Sequence, residues 1–231
     1  MIQGADAPVE DPRAIVRDSL GVGLATGTYA ISFGAVSVAS GLDVLQTCAL
    51  SLLMFTGASQ FALVGVIASG GAPLSGALTA LLLGTRNTLY GLRLAPLLGW
   101  TGRRRLGAAH LLIDESTAMA VSRRTTQGAR VGFLATGGSI FVLWNLFTLL
   151  GAIGGTAIGD PRTYGLDAAV GAAFLALLWP RLHQRRNLLV AVLAATVALG
   201  MVPVTAAGVP VLVAGGVVLL VGLLPRSREV A

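Results

Sequence analysis

The chain has 231 residues, 55% of them hydrophobic and only 11% charged, with a mean hydropathy of +0.81. That is too apolar for an ordinary water-soluble domain. Its formal charge of +6 rests on sixteen basic residues and ten acidic ones. The basic residues are all arginine and fall in short breaks between apolar runs, the pattern of cytoplasmic membrane loops and not of a nucleic-acid surface. One cysteine, Cys48, excludes an intramolecular disulfide and reads as core filler. Two histidines without clustered ligands give no basis for a metal site, and no cofactor is expected.

Residues 1–19 read as a polar tail followed by a short interfacial helix near Arg13–Ser19, with no cleavable signal peptide. Residues 20–224 form a single transmembrane domain and 225–231 a C-terminal tail. The first apolar segment, Leu20 to about Ser40, is Gly-rich. The second runs from Val44 to about Ser69 and contains Thr56, Gly57, Ser59 and Gln60. Thr56, Ser59 and Gln60 share a helical face, and the Thr-Gly-Ala-Ser run loosens the helix there. A half-helix N-terminus of that kind can bind a carboxylate. The competing reading is hydrogen-bonding glue between helices.

The third segment, Ala72–Leu98, carries Arg86 near its middle. Such a charge costs roughly 2.5–3.5 kcal/mol at mid-bilayer on insertion scales, so it marks a candidate site. Arg86, Tyr90 and Arg93 fall on one helical face, and Arg93 lies close enough to the end to snorkel. Arg86 reads either as a carboxylate anchor or as the partner of a buried acid, with Asn87 and Tyr90 as neutral donors beside it. Leu106–Ser122 is short and interrupted by His110, Asp114 and Glu115. The two acids read as proton carriers or as ion-pair partners, and His110 and His183 as interfacial. Val131–Ile153 has Trp144 and Asn145 in its middle, placed to line a cavity or to pack.

A Gly-rich loop with Asp160, Pro161 and Arg162 follows, then segments Leu166–Trp179 (capped by Asp167), Leu188–Val202 and Val209–Leu224. An all-α polytopic fold results, with seven spans, or eight if Leu106–Ser122 crosses. Seven is preferred because it keeps Asp114 and Glu115 from mid-depth. The run Gly23–Gly27 echoes Gly132–Gly137, and Gly57–Phe61 faintly echoes Gly171–Phe174. These echoes suggest inverted three-span halves with broken helices, a transporter plan.

Phe55-Thr56-Gly57-Ala58-Ser59-Gln60-Phe61, the Arg86-Asn87 to Tyr90-Gly91-Leu92 stretch with Ala95-Pro96, Leu112-Ile113-Asp114-Glu115-Ser116, and Trp144-Asn145 together resemble the AzlC-type branched-chain amino acid permeases. The similarity runs in order from about Gly21 to Pro180. Thr85-Arg86-Asn87 departs from the family's pattern, in which Arg follows Asn or a similar residue and precedes His or a related one, implying an altered pocket. The resemblance implies the large subunit of an exporter of Leu, Ile, Val or similar amino acids. It further implies a cytoplasmic-membrane location, coupling to protons or membrane potential, and a small AzlD-type membrane partner. A passive channel or scaffold is the alternative. No catalytic constellation for a membrane enzyme is found.

Overall fold

The computed structural model describes residues 10–158, 175, 178, 179, 182–206 and 208–223. The tail before Glu10, the loop with Asp160 to Arg162, Asp167, the 171–174 echo and most of the 166–179 segment lie outside the described residues. So do Pro180, Arg181, Arg226 and Arg228. Among the described residues all regular structure is helical.

Two long helices set the frame: α1 (Pro12–Ala39) and a second over Thr126–Ile158. Both are long and apolar enough to cross a membrane. Asp11 caps α1, accepting from the Arg13 amide at 2.9 Å, and Pro12 takes the first-turn position where no amide hydrogen is needed. Residues 13–19 are therefore the first turns of α1, not a separate interfacial helix.

The two long helices pack side by side through small residues. The Thr136 hydroxyl donates to that of Ser19 at 2.9 Å, both fully buried. Further along, Gly23 lies against Ser139, Gly27 against Leu143, Ile31 against Gly151 and Ala35 against Gly155. Residue numbers rise together along the seam, so the helices run parallel. An inverted repeat would make equivalent helices antiparallel. The inversion expected from the Gly23 and Gly132 echoes is thus corrected.

Between these helices the chain makes two hairpins and one traverse. A capping box starts α2 (Val44–Leu53): the Gln46 amide donates to Asp43 at 2.7 Å and the Asp43 amide to Gln46 at 3.0 Å. This helix turns back along the second long helix, with Ser51 donating to Thr148 and Phe55 edge-on to Phe141. The chain then reverses at Gly57 (φ +58°), and α3 (Ala58–Ala68) returns the way α2 came. Gln60 reaches the Leu50 carbonyl at 3.1 Å, and the Phe61 ring meets Tyr29 and Phe33. The expected second span is a helical hairpin with its tip at mid-depth.

Next, α4 (Pro73–Leu98) is about 39 Å long at the usual helical rise and traverses the bundle. Gly76 packs on Leu63 and Val66 at the far end, and the Leu98 carbonyl accepts from Arg130 at 2.8 Å at the other. There α5 (Gly102–His110) rises to mid-depth, where the His110 ring meets Phe55 and Phe141. After an extended break, α6 (Asp114–Val121) descends again, with Gly137 beside Ser116 and Gly132 beside Met119. His110 thus sits at a hairpin tip beside Phe55 and Phe141, with its side chain still exposed. The Thr126–Ile158 helix follows as α7.

Beyond it, α8 (Arg185–Met201) packs antiparallel on α9 (Val209–Leu223), Arg186 donating to the Val221 carbonyl, and α9 lies along α4. Gly208 lies on Ser75 and Val66, and Gly215 on Leu82, so α9 runs in the direction of α4.

A long helix followed by a hairpin therefore occurs twice, as α1 with α2–α3 and as α4 with α5–α6, in opposite directions. Among residues 10–158, Arg13, Arg17, Arg103 to Arg105, Arg123, Arg124 and Arg130 all gather at one end. No arginine of these described residues sits at the other. Large apolar side chains such as Leu24, Leu81, Leu89 and Val142 point outward, while Ser19, Thr47, Ser51, Gln60 and Thr148 are fully buried. The core is still mainly apolar, but so large an outward-facing apolar surface is unlike that of a water-soluble bundle.

Candidate functional site

The two hairpin tips meet. Between them lies a cavity of about 350 Å³, within the usual range for a small-molecule pocket. Hairpin α2–α3 contributes Phe55, Thr56, Gly57, Ala58 and Phe61, and hairpin α5–α6 contributes Ile113, Asp114 and Glu115. Ala25, Thr26 and Tyr29 of α1, Arg86 of α4, and Ile140 and Trp144 of α7 complete the wall.

Each tip is held by its own local chemistry. At the first, the Gly57 amide donates to the Gln60 side chain at 3.2 Å while that side chain's amide group donates to Leu50. Gln60 thus ties the descending helix to the returning one. The first amides of α3 have no acceptor within the helix, and its partly positive end reaches the cavity through Gly57 and Ala58. At the second tip, the Ser116 hydroxyl accepts from the Ile113 amide at 3.1 Å and donates to the Leu111 carbonyl at 2.7 Å. Asp114 and Glu115 occupy the first turn of α6, where the helix dipole favours carboxylates. Two half-helix N-termini therefore face one cavity from opposite directions.

Arg86 connects them. One guanidinium nitrogen lies 2.8 Å from an Asp114 oxygen, and another contacts the Thr56 carbonyl at a long 3.5 Å. The Tyr90 hydroxyl donates to the second Asp114 oxygen at 2.6 Å. Both carboxylate oxygens of Asp114 are engaged, and Arg86 is paired with an acid in this structure. About a quarter of each paired side chain stays exposed to the cavity. Glu115 lines the same space and forms no ion pair among the described residues.

Of the residues singled out in the sequence, Thr56, Gly57, Arg86, Trp144, Asp114 and Glu115 come together on the cavity wall. The others stand behind it. Ser59 is buried toward Gly84, Gln60 braces the tip, Tyr90 orients Asp114, and Asn145 donates to the Phe141 carbonyl at 2.7 Å. Asn87 faces a separate groove between α4 and α5. Arg93 is exposed. Sequence reasoning missed Tyr29, Phe61 and Ile140. These are ordinary apolar or aromatic positions; the α1–α7 seam sets Tyr29 against Trp144, and the reversal at Gly57 brings Phe61 to both.

Buried polar atoms without partners collect around the first tip: the Thr56 and Ser59 hydroxyls, Nε of Arg86, the side-chain carbonyl of Asn145 and the Trp144 indole nitrogen. Such atoms are uncommon in native interiors.

Residues 21–158 match the family model described as AzlC protein, more than half of the chain. The inner membrane protein YgaZ of Escherichia coli is 26% identical over 213 residues, covering 87% of this chain and 84% of that protein. A protein of Helicobacter pylori described as an uncharacterized membrane protein is 24% identical over 178 residues, 74% of this chain and 77% of its own. No solved structure matches the chain.

Proposed function

The chain belongs to the AzlC family, and from that premise we propose a secondary transporter of the cytoplasmic membrane that exports branched-chain or related neutral amino acids. In it α1, α4 and α7 cross the bilayer, while the two hairpins dip in from opposite faces. Of the five apolar segments expected before residue 159, three then span. The arginine-rich end is cytoplasmic by the positive-inside rule. Relatives that are membrane proteins support this placement.

The observation that carries the reading is the cavity itself: a mid-depth space closed by two half-helix N-termini and floored by aliphatic and aromatic side chains. An amino-acid carboxylate fits the open amides of α3. Its ammonium group fits Glu115, and its apolar side chain fits Phe61, Ile113, Ile140 and Trp144. Because Asp114 is committed to Arg86 and Tyr90, Glu115 is the acid free to exchange a proton during turnover. A small AzlD-type membrane subunit completes the proposal, on the strength of the family resemblance. Counterflow of labelled neutral amino acids in proteoliposomes, with and without such a co-expressed subunit, tests it. Saturable exchange of Leu, Ile or Val supports the carrier, and non-saturable flux would make the protein a channel.

A further inference from the structure

We infer that the two hairpins are the two gates of the pathway and that Arg86 is a latch shared between them. This rests on the transporter reading above but not on which solute is carried.

The α2–α3 tip reaches mid-depth from the far end and the α5–α6 tip from the arginine-rich end. They touch through Phe55 and His110, whose ring centroids are 6.2 Å apart. The cavity lies between them, so lifting either tip opens it toward that tip's own end. Arg86 belongs to neither hairpin. It stands on the traversing helix α4 and holds the Asp114 carboxylate of one tip and the Thr56 carbonyl of the other. The two holds are unequal. The one on Asp114 is short and charge-assisted, and the one on Thr56 is at the limit of a hydrogen bond.

The interface of the first tip with α4 and α7 also leaves polar atoms of Thr56, Ser59, Arg86 and Trp144 buried without partners. Moving that tip gives them access to water or solute, which offsets part of the packing given up. The α2–α3 hairpin is therefore the gate that moves more readily. When it lifts, the guanidinium lets go of Thr56 and stays with Asp114, keeping the opposite gate shut. Release of Asp114 frees the second gate while Thr56 is still held. One cation between two tips thus disfavours both being open together.

The test uses the full chain with Cys48 replaced by serine and a single reporter, Ile140→Cys. That position is on α7, lines the cavity, is 1% exposed and is part of neither gate. A membrane-impermeant thiol reagent is applied to right-side-out and inverted vesicles. The reporter should be modified from both faces, faster from the face of the α2–α3 hairpin. Arg86→Ala should raise the modification rate at least fivefold from both faces. Arg86→Lys, which keeps the charge but replaces the planar fork by a single ammonium centre, should raise it mainly from the α2–α3 face. Rates unchanged in Arg86→Ala, in protein that remains monodisperse in detergent, would overturn the shared latch. Modification from one face only would overturn the pair of gates. Neither result depends on amino-acid flux, so failure of the export reading is seen separately.

Discussion

At the scale of single residues, the site is organised by one ion pair with unequal dependents. Asp114 has two partners, so losing Arg86 leaves a carboxylate in a largely buried place with only Tyr90 to hold it. Breaking such a pair costs about 3 kcal/mol or more when the remaining charge cannot reach water. Arg86→Ala and Asp114→Ala should each lower stability in detergent by about that much. The double variant should lose clearly less than the sum, by a coupling of about 1–3 kcal/mol in a thermal-unfolding cycle. Additive losses would show that the pair is not a unit. The two acids should also separate in function: Glu115→Gln should flatten the pH profile of transport, whereas Asp114→Asn should lower transport at every pH without flattening it.

Glu10 offers a second titration, outside the bilayer. It accepts from the Arg124 and Thr125 amides and from the Thr125 hydroxyl at 2.7 Å, pinning the start of α1 to the start of α7. Hydrogen bonds from the Thr125 side chain and the Arg124 backbone lower its pKa from the ordinary glutamate value. The folded state therefore holds its proton less tightly than the unfolded one. The contribution is present above the ordinary glutamate range and is lost as pH falls through the depressed value. Glu10→Gln should remove that acid-side decline, read as proteolysis of the α6–α7 junction between neutral and acid pH.

Among elements, the α1–α7 seam and the first tip depend on glycine for different reasons. A Cβ at Gly34 would run into the Thr148 carbonyl and the Ala152 amide, and one at Gly151 into the Ile31 backbone. Neither obstacle can rotate away. Gly34→Ala or Gly151→Ala should thus cost about 1–3 kcal/mol. Gly138, also on α7, has nothing within 4 Å, and Gly138→Ala should be neutral or stabilising by up to about 1 kcal/mol through helix propensity. Comparable thermal shifts for these variants would refute close packing at the seam. At Gly57 a Cβ would meet only the Trp144 ring, at an ordinary 3.7 Å. There φ is +58° and ψ is −83°, a conformation costly for any L side chain. Gly57→Ala should reduce transport by deforming the tip, although it adds only one methyl group.

For the whole molecule, the hairpins decide topology. If Val44–Ser69 crossed the membrane, the loops around Leu42 and Ser69 would lie on opposite sides. The observed reversal puts them at the same end. In the Cys48→Ser background, Leu42→Cys and Ser69→Cys should both react with an impermeant thiol reagent from outside, and Arg104→Cys and Arg124→Cys both from inside. Opposite sidedness within either pair would restore the crossing segments. The same arrangement explains how Asp114 and Glu115 sit at mid-depth: the break before α6 gives them a helix N-terminus, and Asp114 meets Arg86 there.

Class, helicity and much of the wall were legible in the chain itself. An apolar composition with clustered arginines fixes a membrane-type helical body, because the bilayer penalises isolated charge and unpaired backbone alike. A lone mid-segment arginine and a Gly-containing polar run mark where that rule is broken, so Thr56, Gly57, Arg86, Asp114 and Glu115 could be named in advance. Direction could not. Hydropathy reads the same whether an apolar run crosses or turns back, and echoes between glycine-rich stretches carry no sense of orientation. The reversal at Gly57, the parallel seam of α1 with α7, and the choice of Asp114 over Glu115 as partner of Arg86 were settled only by packing, where backbone angles and side-chain distances decide which of several equally apolar paths the chain takes.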